Sequence, residues 1–212
     1  MPFIPMRSSD MMNDEQDIEI LAKETLHDGF FRMDRYRLRH RKFDGTWTEE
    51  LSREIFERGN SVAALLYDPG TDTVVMVEQF RLPARLAGRS AWSFEVPAGV
   101  VKPGEELAEV ARREAFEETG CEIVGDLRRI GEFMASIGGS TEVVTVFLGL
   151  VDASGTGGIH GLSDEHEDIR VHVVPSAEAI RRVDEGEIDN AASIIALNWL
   201  ARHRDGLKRE TA

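Results

Sequence analysis

The sequence predicts an α/β fold: a mixed sheet with helices on both faces, an α/β/α sandwich, preceded by a smaller β-rich extension. Three observations lead there. SVAALLY and TVVMVEQF are apolar runs of strand length on either side of the turn Asp68-Pro69-Gly70, which reads as a buried hairpin. A helix punctuated by glycine follows near residue 105 and stops at Gly120. Two more helices close the chain, one from near Ser176 and one from near Asn190, the second carrying SIIALNWLARH with apolar residues at helical spacing.

Taken in order, residues 1–16 are polar, Met-rich and without period, and are expected to form a disordered tail. Residues 17–58 suit strands: IEILAKETL, FFRMDRYRLRHRKF, a turn at Asp44-Gly45, then TWTEELSREIFERG. They are too rich in charge to be the centre of a core. Gly59-Asn60 punctuates, and residues 59–206 form the main domain. After the hairpin come a loop through RLPARLAGRS, the segment AWSFEVPAGV, the helix, and strands in IVGDLRRIGEFMA and VVTVFLGLV. DASGTGGIHGLSDEHED reads as a long loop, RVHVVP as a short strand. No internal repeat is present.

Composition limits the function. The chain has 212 residues and a formal net charge of −14, which argues against general affinity for nucleic acid or anionic membrane. The lone Cys121 excludes an internal disulfide and suits a reducing compartment. No apolar run approaches the length of a membrane span, and the first residues lack the apolar stretch of a signal peptide, so a cytoplasmic protein is expected.

The chemistry concentrates in GVVKPGEELAEVARREAFEETGC, Gly99 to Cys121. On a wheel of about 100° per residue, Glu114, Glu117 and Glu118 share an arc with Leu107, Val110 and Ala111. The carboxylates thus continue the inward stripe, while Glu106, Glu109, Arg112 and Arg113 take the solvated face. Phe116 lies opposite the stripe and is expected to pack on the helix's other side. Carboxylates at this spacing repel one another and are costly to bury. A divalent cation with hard oxygen preference, Mg²⁺ or Mn²⁺, removes both objections. Two polar segments, 135–142 and 164–168, are further candidates for site residues, the second holding four carboxylates in five positions. His40, His160, His166 and His172 have no metal-binding spacing.

The same stretch resembles the signature of the Nudix hydrolases: Gly99, Glu105, Arg113, Glu114, Glu117, Glu118 and Gly120 fill its seven fixed positions. At average residue frequencies a chance match in one window is on the order of one in 10⁸. From about Ile18 to Arg204 the chain is similar to the bacterial ADP-ribose pyrophosphatases, on ETLHDGFF, SREIFERG, VEQFR, VPAGVVKPGE, FMASIGGSTE, GIHGLSDEHEDIRVHVV and IDNAASIIALNWL.

That resemblance implies a Nudix-type sandwich, homodimers formed through the N-terminal strands, and Mg²⁺-dependent cleavage of ADP-ribose to AMP and ribose 5-phosphate with two or three ions per site, Mn²⁺ serving as a substitute. It implies that the carbonyl of Ala98 with Glu114, Glu118 and Glu167 holds the metals and that Glu165 is the catalytic base. Phe30 and Phe31 would seat the adenine, and Arg53, Glu54, Arg58 and Arg81 would meet the rest of the substrate. Val100, Ser136, Ile137, Gly138 and Glu142 would line the pocket, Ile137 standing where the family often has proline. Gly99, Glu105, Arg113 and Glu117 would support the metal cradle. Two other readings stay open: hydrolysis of another nucleoside diphosphate sugar, and a non-catalytic sensor that binds ADP-ribose.

Overall fold

The computed structural model describes residues 13–211, and the first twelve residues of the expected tail lie outside them. Its last positions are ordered rather than tail-like, because α1 (Asp14–Asp17) forms one helical turn whose cap, Asn13, accepts the amide of Glu15. By contacts the chain divides into two units.

The N-terminal unit runs to Arg58 and includes Ser136–Thr141. It is an antiparallel meander of β1 (Ile18–Asp28), β2 (Arg32–His40) and β3 (Leu51–Glu57). Among its described residues the one fully buried charge is Asp34, which accepts from Thr25 at 2.8 Å and pairs with Lys23 at 2.9 Å and Arg32 at 3.0 Å. Those partners satisfy the carboxylate and hold its pKa below the usual range, the Lys23 hydrogen bond leading. Apolar side chains on β1, among them Ile18, Ile20 and Leu21, stay exposed. Ser136–Thr141 pairs with β3: the Phe56 amide donates to the Gly139 carbonyl at 2.7 Å, and Thr141 Oγ1 donates to Glu57 at 2.6 Å.

The second unit holds a mixed sheet. β4 (Asn60–Asp68) and β5 (Thr73–Phe80) form the expected hairpin, paired Leu66 to Val75. They stay paired for only three residues each and then diverge. Into the opening run β6 (Trp92–Glu95), which pairs with β5, and β7 (Ala98–Val101), which pairs with β4. Pro97 lies between them and cannot donate to a ladder, so it ends one pairing before the next begins. Its carbonyl accepts the Ala64 amide at 2.8 Å. The region expected to be a loop between β5 and β6 contains a short helix, α2 (Leu82–Leu86), which Pro83 favours in its first turn.

The acidic helix is α3 (Leu107–Thr119), ended by Gly120 at φ 71, a left-handed position that glycine takes without strain. Glu105 therefore precedes the helix instead of starting it. β8 (Val124–Met134) and β9 (Val143–Leu150) follow, with β9 parallel to β4. The glycine-rich stretch is not structureless: it contains β10 (Gly158–His160), paired with β11 (Ile169–Pro175), and a 3-10 turn at Ser163–Glu165. α4 (Ser176–Asp184) and α5 (Ala191–Thr211) close the chain.

Alternation along the strands sends residues to opposite layers. Ala63, Leu65 and Tyr67 of β4 join Met76, Val146, Ala196, Leu197 and Leu200 under α5. Val62, Ala64 and Leu66 face α3 through Val110, Ala111 and Ala115. Asp72, at φ 56, fastens the end of α5 to the hairpin turn by accepting from Tyr67 (3.0 Å), Ser176 (2.6 Å) and Lys208 (2.5 Å).

Candidate metal and substrate site

α3 brings its carboxylates against β7. Glu118 is buried, and its Oε2 accepts the Ala98 amide at 3.0 Å. Among the described residues no donor reaches its Oε1. Glu114 lies against Gly99 so closely that a Cβ there would stand 2.0 Å from the Glu114 carboxyl carbon. Only glycine leaves the carboxylate its place, which accounts for the first residue of the motif. Arg113 donates to Glu105 Oε1 and to Glu114 Oε1, each at 3.0 Å, while Glu105 Oε2 accepts the Lys102 amide at 2.8 Å. The turn before the helix and the helix itself are thereby joined through one guanidinium.

Burial raises the pKa of Glu118 to about 8, with Glu167 and Glu114 adding to the rise and Arg81 and the Ala98 hydrogen bond opposing it. Glu114 is likewise raised, by burial first and by Glu117 and Glu167, against the pull of Arg113. Glu167 therefore belongs to the same electrostatic group. Its Oε2 accepts the Leu162 amide at 3.1 Å, and its Cβ lies where a side chain at Gly161 would intrude at 2.7 Å. Glu165, in the 3-10 turn, is exposed, and among the described residues no donor reaches its side chain; the following His166 takes a left-handed φ of 57.

An ion fits this donor set. Its members are oxygens, its carboxylates are desolvated and mutually repelling, and a positive charge among them relieves both effects. Among the described residues no three His, Cys, Asp or Glu side chains close a cage by themselves. An open set of this kind suits Mg²⁺, which keeps water and takes phosphate oxygens as further ligands.

The remaining expected residues fall in two places. In the second unit, Arg81 is held by both carboxylate oxygens of Glu95, at 2.9 to 3.3 Å, and its charge faces Glu118 and Glu167. Glu142 is buried, with Ser61 Oγ donating to it at 2.7 Å, and Val100 is exposed on β7. In the N-terminal unit, the rings of Phe30 and Phe31 meet edge to face at 4.7 Å, Phe31 also meets Phe56 at 5.0 Å, and Arg58 sits over Phe31 at 5.6 Å. Phe30 is 93% exposed. Glu54 pairs with Arg35 at 2.9 Å, and Arg53 donates to the carbonyl of Ser52. Ser136 and Gly138 form the turn that docks on β3, and Ile137 is 83% exposed there.

Sequence reasoning overlooked Glu95 and Ser61. Glu95 left a signal, an acidic residue inside the apolar run that enters the motif, whereas Ser61 left none. Phe116, expected to pack, is 55% exposed. Glu117 is half-buried, and its carbonyl accepts the Gly161 amide at 3.3 Å, tying α3 to the acidic segment. A separate cavity of about 410 Å³ lies between α4 and the edge of β11, lined by Glu78, Phe94, His172 and Arg182 among others. His172 and Glu78 pair with each other, as do Arg182 and Glu178, and none of them belongs to the acidic group.

The NUDIX domain profile matches residues 57–197. The ADP-ribose pyrophosphatase of Escherichia coli is 50% identical over 198 residues, covering 93% of this chain and 94% of that protein. A GDP-mannose pyrophosphatase of the same species is 32% identical over 190 residues, covering 87% and 95%. A crystal structure of an ADP compounds hydrolase superposes with a TM-score of 0.68 over 92% of this chain and 97% of that one. At 18% identity this last likeness speaks for the fold alone.

Proposed function

The chain belongs to the Nudix hydrolase family, and from that premise we propose that it hydrolyses the diphosphate bond of ADP-ribose to AMP and ribose 5-phosphate. The observation that carries this reading is the buried Glu118 carboxylate set on the Ala98 amide beside Glu114, in a chain half identical over nearly its whole length to an ADP-ribose pyrophosphatase. Mg²⁺, two or three ions per site and replaceable by Mn²⁺, would when bound supply positive charge to offset that of the diphosphate and make water a better nucleophile. Glu114, Glu118, Glu167 and the Ala98 carbonyl are the residues that would hold it.

The chain's own groups do the rest. Arg113 fixes Glu114 in one rotamer by holding it and Glu105 together. Glu165 takes the proton from the attacking water on its carboxylate, a step worth about 10²- to 10⁴-fold. Its exposure leaves it accessible to water. Arg81, aimed by Glu95, meets the negative charge of the diphosphate. Phe30 and Phe31 stack the adenine, while Arg53, Glu54, Arg58, Val100, Ser136, Ile137, Gly138 and Glu142 contact the rest of the substrate. Two apolar rings offering both face and edge suit a purine.

A three-stranded sheet with exposed Ile18, Ile20 and Leu21 gains stability when a second copy covers it, which supports a homodimer through these strands. Sedimentation should give a dimer, and deletion of residues 1–57 should abolish both dimer and activity. The formal net charge of −14 supports an enzyme of the cytoplasm that binds neither nucleic acid nor anionic membrane; among the described residues no helix is long and apolar enough to cross a membrane.

The test is a panel of ADP-ribose, ADP-glucose, GDP-mannose, NADH and diadenosine polyphosphates with Mg²⁺, read by product chromatography. ADP-ribose should give the highest kcat/KM, with AMP and ribose 5-phosphate as products. A preference for GDP-mannose would transfer the reading to another nucleoside diphosphate sugar, and binding of ADP-ribose without products would make the chain a sensor.

A further inference from the structure

The segment from Phe94 to Ala98 leaves one strand and enters another, and its backbone groups are satisfied by side chains far away in sequence. Val96 is 1% exposed, and its amide donates to Ser193 Oγ at 2.9 Å, a contact spanning 97 positions with Ser193 fully buried. The carbonyl of Phe94 accepts from Asn190 Nδ2 at 2.9 Å. Asn190 has a second task, because its Oδ1 accepts the Ser193 amide at 3.0 Å and so caps α5, whose first helical bond runs from Ile194 to the Asn190 carbonyl at 3.1 Å. Two residues further along the strap, the Ala98 amide meets Glu118 from the opposite layer. The strap is therefore held from one face by the start of α5 and from the other by α3.

We infer that Asn190 and Ser193 are positioning residues for the Ala98 carbonyl and the Glu118 carboxylate, acting through the backbone of residues 94–98. This rests on the proposed metal role of Ala98 and Glu118. β6 is paired with β5 as far as Glu95 and β7 with β4 from Ala98, so the stretch between them lies outside both ladders. Pro97 offers no amide, and what fixes this stretch is the Ala64 amide on the Pro97 carbonyl together with the α5 side chains on Val96 and, at its near end, on Phe94. Removing either side-chain bond leaves a buried backbone group without its partner, and the relief available is movement of the strap. A shift there displaces the Ala98 carbonyl directly and Glu118 through its hydrogen bond.

The test measures Mn²⁺ binding to the metal-free enzyme by electron paramagnetic resonance, alongside thermal unfolding. Ser193→Ala removes the acceptor for Val96. Asn190→Asp separates the two tasks, since its carboxylate still caps α5 but has no hydrogen to give the Phe94 carbonyl. Each should weaken Mn²⁺ binding about tenfold, the low end of what loss of an outer partner costs a metal site. Asn190→Asp keeps the α5 cap and should lower Tm by only several degrees, and it carries the test should Ser193→Ala fail to fold. Leu197→Ala, in the core under the same helix, should lower Tm and leave the Mn²⁺ Kd unchanged.

Mn²⁺ binding by Asn190→Asp and any folded Ser193→Ala within about twofold of wild type, against the 10- to 100-fold expected of outer partners, overturns the inference. Equal weakening in Leu197→Ala overturns it too, because general loosening would then suffice. Wild-type protein and Glu118→Gln serve as references. If wild type binds Mn²⁺ and Glu118→Gln does not, an unchanged Asn190→Asp defeats this inference alone. If wild type binds none, the metal reading falls and takes the inference with it.

Discussion

The Ala98 amide donates to Glu118 Oε2 at 3.0 Å, so the peptide that joins Pro97 to Ala98 anchors the buried carboxylate at the start of β7. This hydrogen bond uses one oxygen of Glu118, and among the described residues no donor reaches the other, which is where the proposed cation would bind. Hydrolysis should therefore stop in excess EDTA and return with Mg²⁺ or Mn²⁺. Glu118→Gln keeps the size of the side chain and loses its charge, and kcat should fall by at least about 10³-fold with a weaker response to Mg²⁺. Steady-state kinetics with a metal titration decides it, and full activity in EDTA would remove the metal from the mechanism.

Gly99→Ala tests the cradle without touching a charge. The added Cβ would stand 2.0 Å from the Glu114 carboxyl carbon and 2.4 Å from its Oε1, so Glu114 must leave its place. Circular dichroism should report an intact fold. The expected loss in kcat/KM is about 10²-fold or more, comparable with removal of an outer partner of a metal site. Activity near wild type would mean that Glu114 need not lie against β7.

Glu165 and Glu167 are two positions apart and differ in surroundings. Glu167 is half-buried and hydrogen-bonded to Leu162, whereas Glu165 is exposed. Glu165→Gln should lower kcat by about 10²- to 10⁴-fold with Mg²⁺ dependence and substrate binding nearly unchanged. Glu167→Gln should behave as a partial loss of metal affinity. Glu109→Gln, on the exposed face of α3, should change little. Retention of more than half of wild-type kcat by Glu165→Gln, where a base contributes at least about 10²-fold, moves the role to Glu167, Glu142 or a base-free route.

Stability should show its own acid dependence through Asp72. Burial works to raise its pKa, but hydrogen bonds from Lys208, Ser176 and Tyr67 prevail and hold it below the usual value. A carboxyl with a depressed folded pKa contributes stability above its unfolded pKa and loses it as pH falls through the folded one. Asp72→Asn should cost about 1 kcal/mol or more near neutrality. The Tm difference from wild type should shrink as pH drops below about 4. A constant difference across that range would show that charge at Asp72 is not what holds α5.

Much of this was legible in the sequence because it is local. The hairpin, α3 and its stop at Gly120 follow from apolar period and a glycine in the left-handed region, and the carboxylate stripe follows from spacing. What escaped depends on distant partners or on short elements. α2 has five residues and β10 three, too few for a period to be visible, although Pro83 marked the former. Arg81, just past the end of β5, meets Glu95 of β6 from 14 positions away, and Ser61 meets Glu142 from 81 positions away. Phe116 misled because apolar character was taken to require cover, and single exposed aromatics are common.

Ser136–Thr141 has its backbone partner in β3, some eighty positions earlier, so the chain leaves and re-enters the Nudix sheet around a turn whose shape is set by an outside template. Lengthening or shortening that turn is read first by Phe56, and altering β3 is read first by the turn. In evolution or engineering the two segments are one variable: a graft of the turn from a relative will keep its conformation only when the matching third strand travels with it.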